Sequence, residues 1–302
     1  MNKRKRLLFI YNPHSGRGLV KANLPGILDV FSASEYELLV HATSGPCDAK
    51  RIAEEYTLSG TVDRIVCAGG DGTLDEVADG VMRGQEASSN TVSVGIISAG
   101  SANDFGYSLG IPSDIIEAAE RSVKGREFDC DIARFNGRHF TYTAAFGLLA
   151  EISYETPQEI KNALGYAAYI LNGMMRLPEM KKIHAKVTFD GQTVEDDYLI
   201  GMVVSSNSIG GFRGITGEGV CLNDGMHELM LIRAPKKIGD LSKAINEVIM
   251  HKYNGKYLKY YRAKKIHFEF ENEVAWSLDG ENGGLWKETD IEIIKQGIRY
   301  II

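Results

Sequence analysis

The sequence lacks the features that define several large classes of protein. Its four cysteines, Cys47, Cys67, Cys130 and Cys221, form no CxxC pair and no metal-ligand spacing. We therefore expect reduced thiols in a cytoplasmic protein. No uncharged apolar run is long enough to cross a bilayer. The formal net charge of -6 lacks the cationic excess that nucleic-acid binding requires, so we expect no nucleic-acid partner.

Two familiar nucleotide-binding motifs and a targeting segment are also missing. There is no GxxxxGK[ST] and no GxGxxG, which excludes P-loop proteins and protein kinases. The basic start resembles a signal peptide, but its apolar run, Leu7–Tyr11, is too short and ends at Asn-Pro. This run predicts a first buried strand instead.

The first third of the chain alternates short apolar runs with helical patterns. Strands are predicted at 7–11, 36–41, 64–68 and 92–97, and helices at 48–56, 74–82 and 114–123. Such alternation is typical of βαβ units, so the pattern predicts an α/β domain with a doubly wound, mostly parallel sheet.

The pattern changes near Gly125. Asn136-Gly137 and Asp190-Gly191 are hairpin turns between β-branched or aromatic runs. Further strands are predicted at 198–205, 227–233, 265–270 and 274–278, and one helix at 157–177. A chain of 302 residues suits one large or two medium domains. We predict domains at 1–128 and 129–289, the second an antiparallel β-sandwich or barrel, with residues from about 290 to 302 returning to the first.

The sharpest local motif is Gly69-Gly70-Asp71-Gly72-Thr73, which follows an apolar strand and opens a helix. Thr73 and Glu76 have the spacing of a capping box. Glycines here let backbone N–H groups approach an anion, and the helix N-terminus adds positive potential. Asp71 would repel a bare phosphate but suits one that carries Mg²⁺. The alternative is an ordinary tight turn.

Two more glycine-containing turns follow predicted strands in the same half. One is Asn12–Gly18, after the first strand, and the other is Ser98–Phe105, after the fourth. In an open parallel sheet, ligands bind beyond the carboxyl ends of the strands. The three turns together therefore predict one phosphate-binding crevice, although each alone is consistent with a plain loop.

With these motifs in order, the chain resembles a family. GGDGT at 69–73, NPHSGRG at 12–18, GSANDF at 100–105 and Asp279-Gly280-Glu281 resemble the soluble bacterial diacylglycerol kinases, which share a catalytic domain with sphingosine and ceramide kinases. The resemblance implies a nucleotide-binding α/β domain, a β-sandwich domain, and ATP in the cleft between them. It implies ATP- and Mg²⁺-dependent phosphorylation of a lipid hydroxyl, with diacylglycerol converted to phosphatidic acid at the inner face of the membrane. A homodimer is left open.

The resemblance also implies roles for individual residues. Glu281 would be the general base, and Asp71, Asp104 and Asp131 would organise the catalytic magnesium, directly or through water. Asp224, with the backbone carbonyls of Cys221 and Met226, would hold a second, structural magnesium. The ATP site would be lined by Asn12, Pro13, His14, Ser15, Gly16, Thr43, Gly69, Gly70, Asp71, Gly72, Thr73, Leu74, Asp75, Gly100, Ser101 and Asn103.

Each of these residues also has a purely structural interpretation. Asn103 and Asp104 can cap the short segment after the turn, Asp131 can be a solvated strand-end carboxylate, and Asn223-Asp224-Gly225 is a good turn. Asp279-Gly280-Glu281 can be a hairpin tip. Three positions depart from the family pattern, with Ser98 in place of proline, Ser101 in place of threonine and Asp75 in place of asparagine, and all three concern ATP affinity.

Two segments bear on the acceptor. The apolar face of the helix at 157–177 suits acyl chains or, equally, a core. The cluster at 251–265 holds six Lys or Arg, four tyrosines and no acid, which suits anionic lipid headgroups or a solvated strand face. Alternative functions are a kinase of NAD, of a sugar phosphate or of another lipid, such as a sphingoid base or phosphatidylglycerol, and a nucleotide-binding regulatory pseudokinase.

Overall fold

The structure is a computed structural model that describes residues 4–147, 182–209, 212–213, 220–237 and 240–302. The chain divides into two compact units. Unit 1 comprises Met1–Ile132 with Gln296–Ile302, and unit 2 comprises Ala133–Lys295. The sequence predicted a boundary at 128/129 and a return near 290–302.

Unit 1 contains four parallel strands in the order β2-β1-β3-β4. They are β1 (Arg6–Tyr11), β2 (Glu37–Ala42), β3 (Arg64–Gly69) and β4 (Ser93–Ser98). The chain's last strand lies parallel to β4 at Tyr300, which pairs with Val94. The chain runs from β1 to β2 on one side and then crosses to the other side of β1 for β3 and β4, a reversal that is typical of doubly wound sheets. The four strands predicted for this half are confirmed, and no strand end differs from its predicted position by more than one residue.

Five helices flank these strands: α1 (Leu19–Ser32), α2 (Asp48–Ser59), α3 (Asp71–Ala87), α4 (Asp104–Ser108) and α5 (Ile115–Lys124). Helix α1 was not predicted, because Pro25 lies inside it and proline usually argues against a helix interior. Its Phe31 packs edge-on against Phe9 of β1, with 5.1 Å between ring centroids. The buried guanidinium of Arg64 donates to the carbonyls of Ser122 and Val123, both at 2.9 Å, and so ties β3 to the last turn of α5.

After β5 (Glu127–Phe135), unit 2 consists mainly of antiparallel strands. They are β6 (Arg138–Phe140), β7 (Thr143–Gly147), β8 (Ile183–Phe189), β9 (Gln192–Val204), β10 (Ser208–Ile209), β11 (Phe212–Arg213), β12 (His227–Arg233), β13 (Leu258–Ala263), β14 (Lys265–Leu278) and β15 (Glu281–Ile301), with helix α6 (Leu241–Ile249) before β13. The hairpin turns predicted at Asn136-Gly137 and Asp190-Gly191 are confirmed, because Phe135 pairs with Arg138 and Phe189 with Gln192.

Two long strands organise unit 2. Both β9 and β14 pair with β8 over one half of their length and with β7 over the other half. The aromatic core lies along these pairings, where the ring of Trp276 lies 5.0 Å from Phe135, 5.0 Å from Phe146 and 5.1 Å from Phe268. The two strands predicted at 265–270 and 274–278 are one strand with a change of register between Glu269 and Val274.

Several elements of unit 2 escaped prediction. They are α6, β13 and the long β15, whose polar composition hides a strand of 21 residues. The helix predicted at 157–177 lies outside the described residues. Among the residues that the structure describes, no helix is long and apolar enough to span a membrane.

Candidate functional site

The three turns predicted to converge do lie side by side at the carboxyl end of the unit 1 sheet. The Asn12 N–H donates to the Ala68 carbonyl at 2.9 Å, which joins the first turn to the end of β3. The Ala99 N–H donates to the Gly69 carbonyl at 2.7 Å, which joins the third turn to the second. The Thr43 N–H, just after β2, donates to the Tyr11 carbonyl at 2.9 Å. These bonds continue the parallel ladder by one residue beyond each strand.

Glycine is required where these turns touch. A Cβ on Gly16 would lie 2.2 Å from the Ala99 carbonyl oxygen, and Gly16 has φ +58°. A Cβ on Gly100 would lie 2.8 Å from the Cα of Gly70. Real side chains do not reach such distances, so only glycine lets the three backbones approach this closely. The result is a compact surface of backbone atoms, the kind that binds phosphate groups.

The start of α3 differs from the prediction in one respect. The helix begins at Asp71, with Gly70 at the N-cap and no side-chain cap. Thr73 therefore lies inside the first turn, where its side chain covers Gly69. Glu76 accepts the Cys47 N–H at 2.8 Å. The capping box predicted from Thr73 and Glu76 is wrong, because the glycine turn lets the helix begin at Asp71, three residues before the predicted start at Leu74.

Asp71 links two of the turns. One of its carboxylate oxygens accepts the Asn103 N–H at 3.0 Å. The Asn103 side chain in turn accepts the Gly100 N–H at 2.8 Å and donates to the Gly100 carbonyl at 3.1 Å. Asn103 adopts φ +54°, a left-handed conformation that asparagine tolerates well. Asn103 thus stabilises the GSANDF turn through Gly100 and joins it to Asp71, the first residue of α3.

The other acidic residues predicted in unit 1 are buried. Asp104 is fully buried at the start of α4, and Asp75 is 2% exposed one turn after Asp71. Asp131 is buried in β5, where it accepts the Gln296 N–H at 2.7 Å. It is therefore not a solvated strand-end carboxylate. Leu74 is buried in the core, so any contribution of this residue to an ATP site comes from its backbone.

Asp48, the first residue of α2, organises the loop after β2 and was not predicted as a functional residue. Asp48 accepts hydrogen bonds from the Ser44 N–H at 2.9 Å, the Ser44 hydroxyl at 3.0 Å and Arg51 at 2.7 Å, and pairs with His41 at 3.0 Å. The bonds from Ser44 and His41 hold the pKa of the Asp48 carboxyl well below its usual range. Asp48 therefore shapes the loop that carries Thr43. Its position as the first residue of a predicted helix was the available signal.

In unit 2, Glu281 begins β15 immediately after a tight turn. Asp279 and Gly280 have φ +49° and +84°, and Leu278 pairs with Glu281 across the turn. This is a two-residue hairpin whose central residues both have positive φ. The predicted hairpin tip is therefore present, and the Glu281 side chain is exposed on it.

The buried Asp279 anchors this hairpin. One carboxylate oxygen accepts the N–H and the hydroxyl of Thr141, both at 2.6 Å. The other accepts the N–H of Tyr142 at 3.0 Å and that of Thr143 at 2.8 Å. The Asp279 N–H donates to the Thr143 carbonyl at 2.8 Å. These bonds thus fix Asp279, which lies two positions before Glu281. The Asp279-Gly280-Glu281 motif alone did not reveal this anchoring role.

The segment predicted to hold a second magnesium forms a turn, with Gly225 at φ +83°. Asp224 accepts the Met226 N–H at 2.9 Å through one oxygen and forms an ion pair with Arg262 through the other. Carboxylate and carbonyl oxygens are suitable ligands for Mg²⁺. The Arg262 guanidinium, however, would compete with a cation for the same carboxylate.

Metal binding can be assessed from the side chains present. The described residues contain no group of three or more His, Cys, Asp or Glu arranged to hold an ion. A magnesium ion carried by ATP needs fewer protein ligands, since phosphate oxygens and water supply the rest. Asp71, which lies among the glycine turns, fits that arrangement.

Comparisons with known proteins give consistent family matches. The profile described as "Diacylglycerol kinase catalytic domain" matches residues 6–135, a range that includes all three turns and Asp131. The chain is 34% identical over 282 residues to the diacylglycerol kinase of Bacillus subtilis, covering 93% of this chain and 91% of the relative. It is 33% identical over 286 residues to that of Staphylococcus aureus, covering 93% and 87%.

Two solved structures share the fold of this chain. A crystal structure of a diacylglycerol kinase from Bacillus anthracis superposes with a TM-score of 0.75 at 25% identity, covering 100% of this chain and 98% of the other. Another structure assigned to a diacylglycerol kinase of that organism gives a TM-score of 0.81 at 28% identity, with the same coverage.

Proposed function

The chain belongs to the diacylglycerol kinase family, and on that premise we propose that this lipid kinase transfers the γ-phosphoryl group of ATP to diacylglycerol, forming phosphatidic acid. The observation that carries the proposal is the meeting of three glycine-containing turns around Asp71 in unit 1. Their backbones approach too closely for side chains, and one carboxylate stands at the start of a helix. Such an arrangement suits Mg²⁺-bound phosphates better than bare phosphate or an apolar ligand.

The residues of the turns would bind and orient the nucleotide. The backbone N–H groups of the glycine turns and the N-terminus of α3 donate to phosphate oxygens. When bound, Mg²⁺ neutralises the charge on those oxygens. We assign Asp71 to the metal, with Asp104 and Asp131 acting directly or through water. Because Asn103 restrains both Gly100 and Asp71, the phosphate-binding turn and the metal-binding carboxylate keep a constant spacing.

Glu281 is the general base in this proposal. It orients the acceptor hydroxyl and takes its proton as the new P–O bond forms. A carboxylate is too weak a base to ionise an alcohol beforehand, but the loose transition state of phosphoryl transfer needs only late proton transfer. Asp279 holds the hairpin that presents this carboxylate.

The test is a transfer assay with radiolabelled ATP and a panel of acceptors resolved by thin-layer chromatography. The panel contains diacylglycerol, a sphingoid base, phosphatidylglycerol, NAD and a sugar phosphate. We expect label in phosphatidic acid. Label in another lipid would identify that lipid as the acceptor in place of diacylglycerol. Label only in NAD or the sugar phosphate would contradict the lipid assignment. ATP binding without transfer to any acceptor would indicate a regulatory pseudokinase.

Glu281→Gln tests the role of the base. Glutamine keeps the shape of glutamate and can hydrogen-bond the acceptor, but it cannot accept a proton. We expect kcat to fall by about 10²–10⁴-fold, with ATP affinity and the melting temperature unchanged. A loss of only a few-fold would assign Glu281 to the turn alone. A collapse of ATP affinity would place it in the nucleotide site.

A further inference from the structure

We propose that the surface around α6 in unit 2 is a docking site for membranes that contain anionic lipids, an inference that rests on the proposed lipid substrate. We call it the α6 surface and define it by Lys236, Lys237, Lys243, Met250, Lys252 and Lys256. It differs from the cluster at 251–265 that the sequence suggested, because the fold divides that cluster in two.

Acids neutralise part of the second half of the 251–265 cluster. Arg262 forms an ion pair with Asp224 and lies 3.6 Å from Glu228, and Lys265 pairs with Glu292 at 3.3 Å. These two charges, on β13 and at the start of β14, thus serve the structure of unit 2. Of the four cations in this half, only Lys259 and Lys264 form no ion pair with a described residue.

The first half instead joins lysines that precede and belong to α6. Between residues 234 and 257 the chain contains five lysines and only two acids, Asp240 and Glu247. Asp240 brings two of the lysines together, because its carboxylate lies 2.7 Å from the Lys243 ammonium and 3.8 Å from that of Lys256. The Glu247 carboxylate accepts the N–H groups of residues 256, 257 and 258. Five lysines less these two acids leave this stretch with a formal charge of +3.

Exposure shows that these lysines face solvent. The side chains of Lys243 and Lys256 are 69% and 71% exposed. Lys236, Lys237 and Lys252 are exposed as well and form no ion pair with any residue that the structure describes. The helix packs inward through Ala244 and Val248, which are buried, so its charged face points outward. The surface is therefore strongly cationic in a chain whose net charge is -6.

Met250 makes a membrane a better partner than a nucleic acid. Its side chain is 63% exposed at the end of α6, two residues before Lys252. An exposed methionine among lysines can enter the headgroup region while the ammonium groups contact lipid phosphates. A nucleic acid would gain nothing from this apolar side chain, and the rest of the chain would repel it.

The experiment is co-sedimentation with vesicles of phosphatidylcholine alone and of phosphatidylcholine mixed with phosphatidylserine. We expect binding only to the mixed vesicles, weakening as salt is added. The test variant is Lys236→Gln, Lys237→Gln, Lys252→Gln, three changes that break no ion pair with a described residue. At about fivefold per lysine, we expect this variant to bind roughly 100-fold more weakly.

The matched control is Lys5→Gln, Lys124→Gln, Lys287→Gln, which changes the net charge by the same amount elsewhere. It should retain wild-type vesicle binding. Met250→Ser should weaken binding to the mixed vesicles by a factor that does not shrink as salt is added, because the apolar contribution is not screened. Equal losses in the two triple variants, or wild-type binding that ignores phosphatidylserine, would overturn the proposal.

A separate assay distinguishes failure of the surface from failure of the enzyme assignment. With short-chain diacylglycerol dispersed in detergent, both triple variants should have the wild-type kcat. If the wild type is inactive on this substrate while vesicle binding behaves as expected, the proposed function is wrong and the surface stands. If activity is present but vesicle binding ignores the α6 lysines, the surface is wrong.

Discussion

Asp279→Asn is the sharpest test of how the β14–β15 hairpin is built. The carboxylate of Asp279 is buried and accepts four hydrogen bonds, two through each oxygen, from residues 141–143. An asparagine has one carbonyl oxygen and one NH₂ group. Two of the four donors would therefore face another donor inside the protein.

The magnitude follows from these contacts. A hydrogen bond to a charged group contributes about 1.5–3 kcal/mol, and leaving its partner buried without a bond costs a similar amount. Losing two of the four bonds should lower the free energy of unfolding by about 3–6 kcal/mol, a large share of the roughly 5–15 kcal/mol typical of a folded domain. Because Asp279 lies two residues before Glu281, kcat should fall as well, while the KM for ATP stays near the wild-type value.

Urea denaturation measures the stability, and the transfer assay measures kcat and the KM for ATP. The matched control is Asp290→Asn, an exposed acid paired with His267 in the same hairpin, which should change stability by less than about 1 kcal/mol. The reasoning would be refuted if Asp279→Asn were as stable as this control. A stable variant with reduced kcat would instead make Asp279 a residue that acts on the substrate.

Three further predictions concern other carboxylates. Asp71→Asn should lower kcat by at least about 10²-fold with an unchanged melting temperature, since an amide oxygen can still accept the Asn103 N–H, and full activity would remove Asp71 from the metal site. Asp224→Ala should lower the melting temperature more in magnesium buffer than in EDTA. If the decrease is the same in both buffers, and Arg262→Gln lowers the melting temperature by the same amount, the ion pair rather than a metal stabilises this turn. Asp48→Asn should cost about 2 kcal/mol at pH 7. The folded pKa of Asp48 lies below the unfolded value of 3.8, so this difference should be present above about pH 4 and disappear as the pH falls further; a difference independent of pH would contradict the role of its charge.

The strands of unit 1 and the hairpins of unit 2 were predictable because their causes are local. Apolar runs such as Leu7–Tyr11 can be buried only as strands of this length, and Asn-Gly or Asp-Gly between β-branched residues favours one kind of turn. The convergence of the three turns also followed, since parallel strands present their carboxyl ends at one edge. The close contact of Gly16 with Ala99 is where two of these turns meet in the structure.

Other features depended on partners that are distant in sequence. The start of α3 at Asp71 reflects the contact of Gly70 with Gly100, which no local capping pattern contains. The long polar strand β15 exists because β14 pairs with its residues 281–292 and β4 pairs with Arg299 and Tyr300 near its end. The role of Asp279 depends on residues 141–143, far away in the chain.

The sequence by itself therefore determined the strands of unit 1, where glycine turns follow them, and which family the chain resembles. These properties arise from the hydrophobicity and conformational preferences of neighbouring residues. Only the tertiary structure decided which charges are neutralised and which remain exposed. Arg262 and Lys252 lie in one basic segment, yet the first is paired with acids and the second faces solvent, because a charge is balanced by whatever the fold brings within a few ångströms of it.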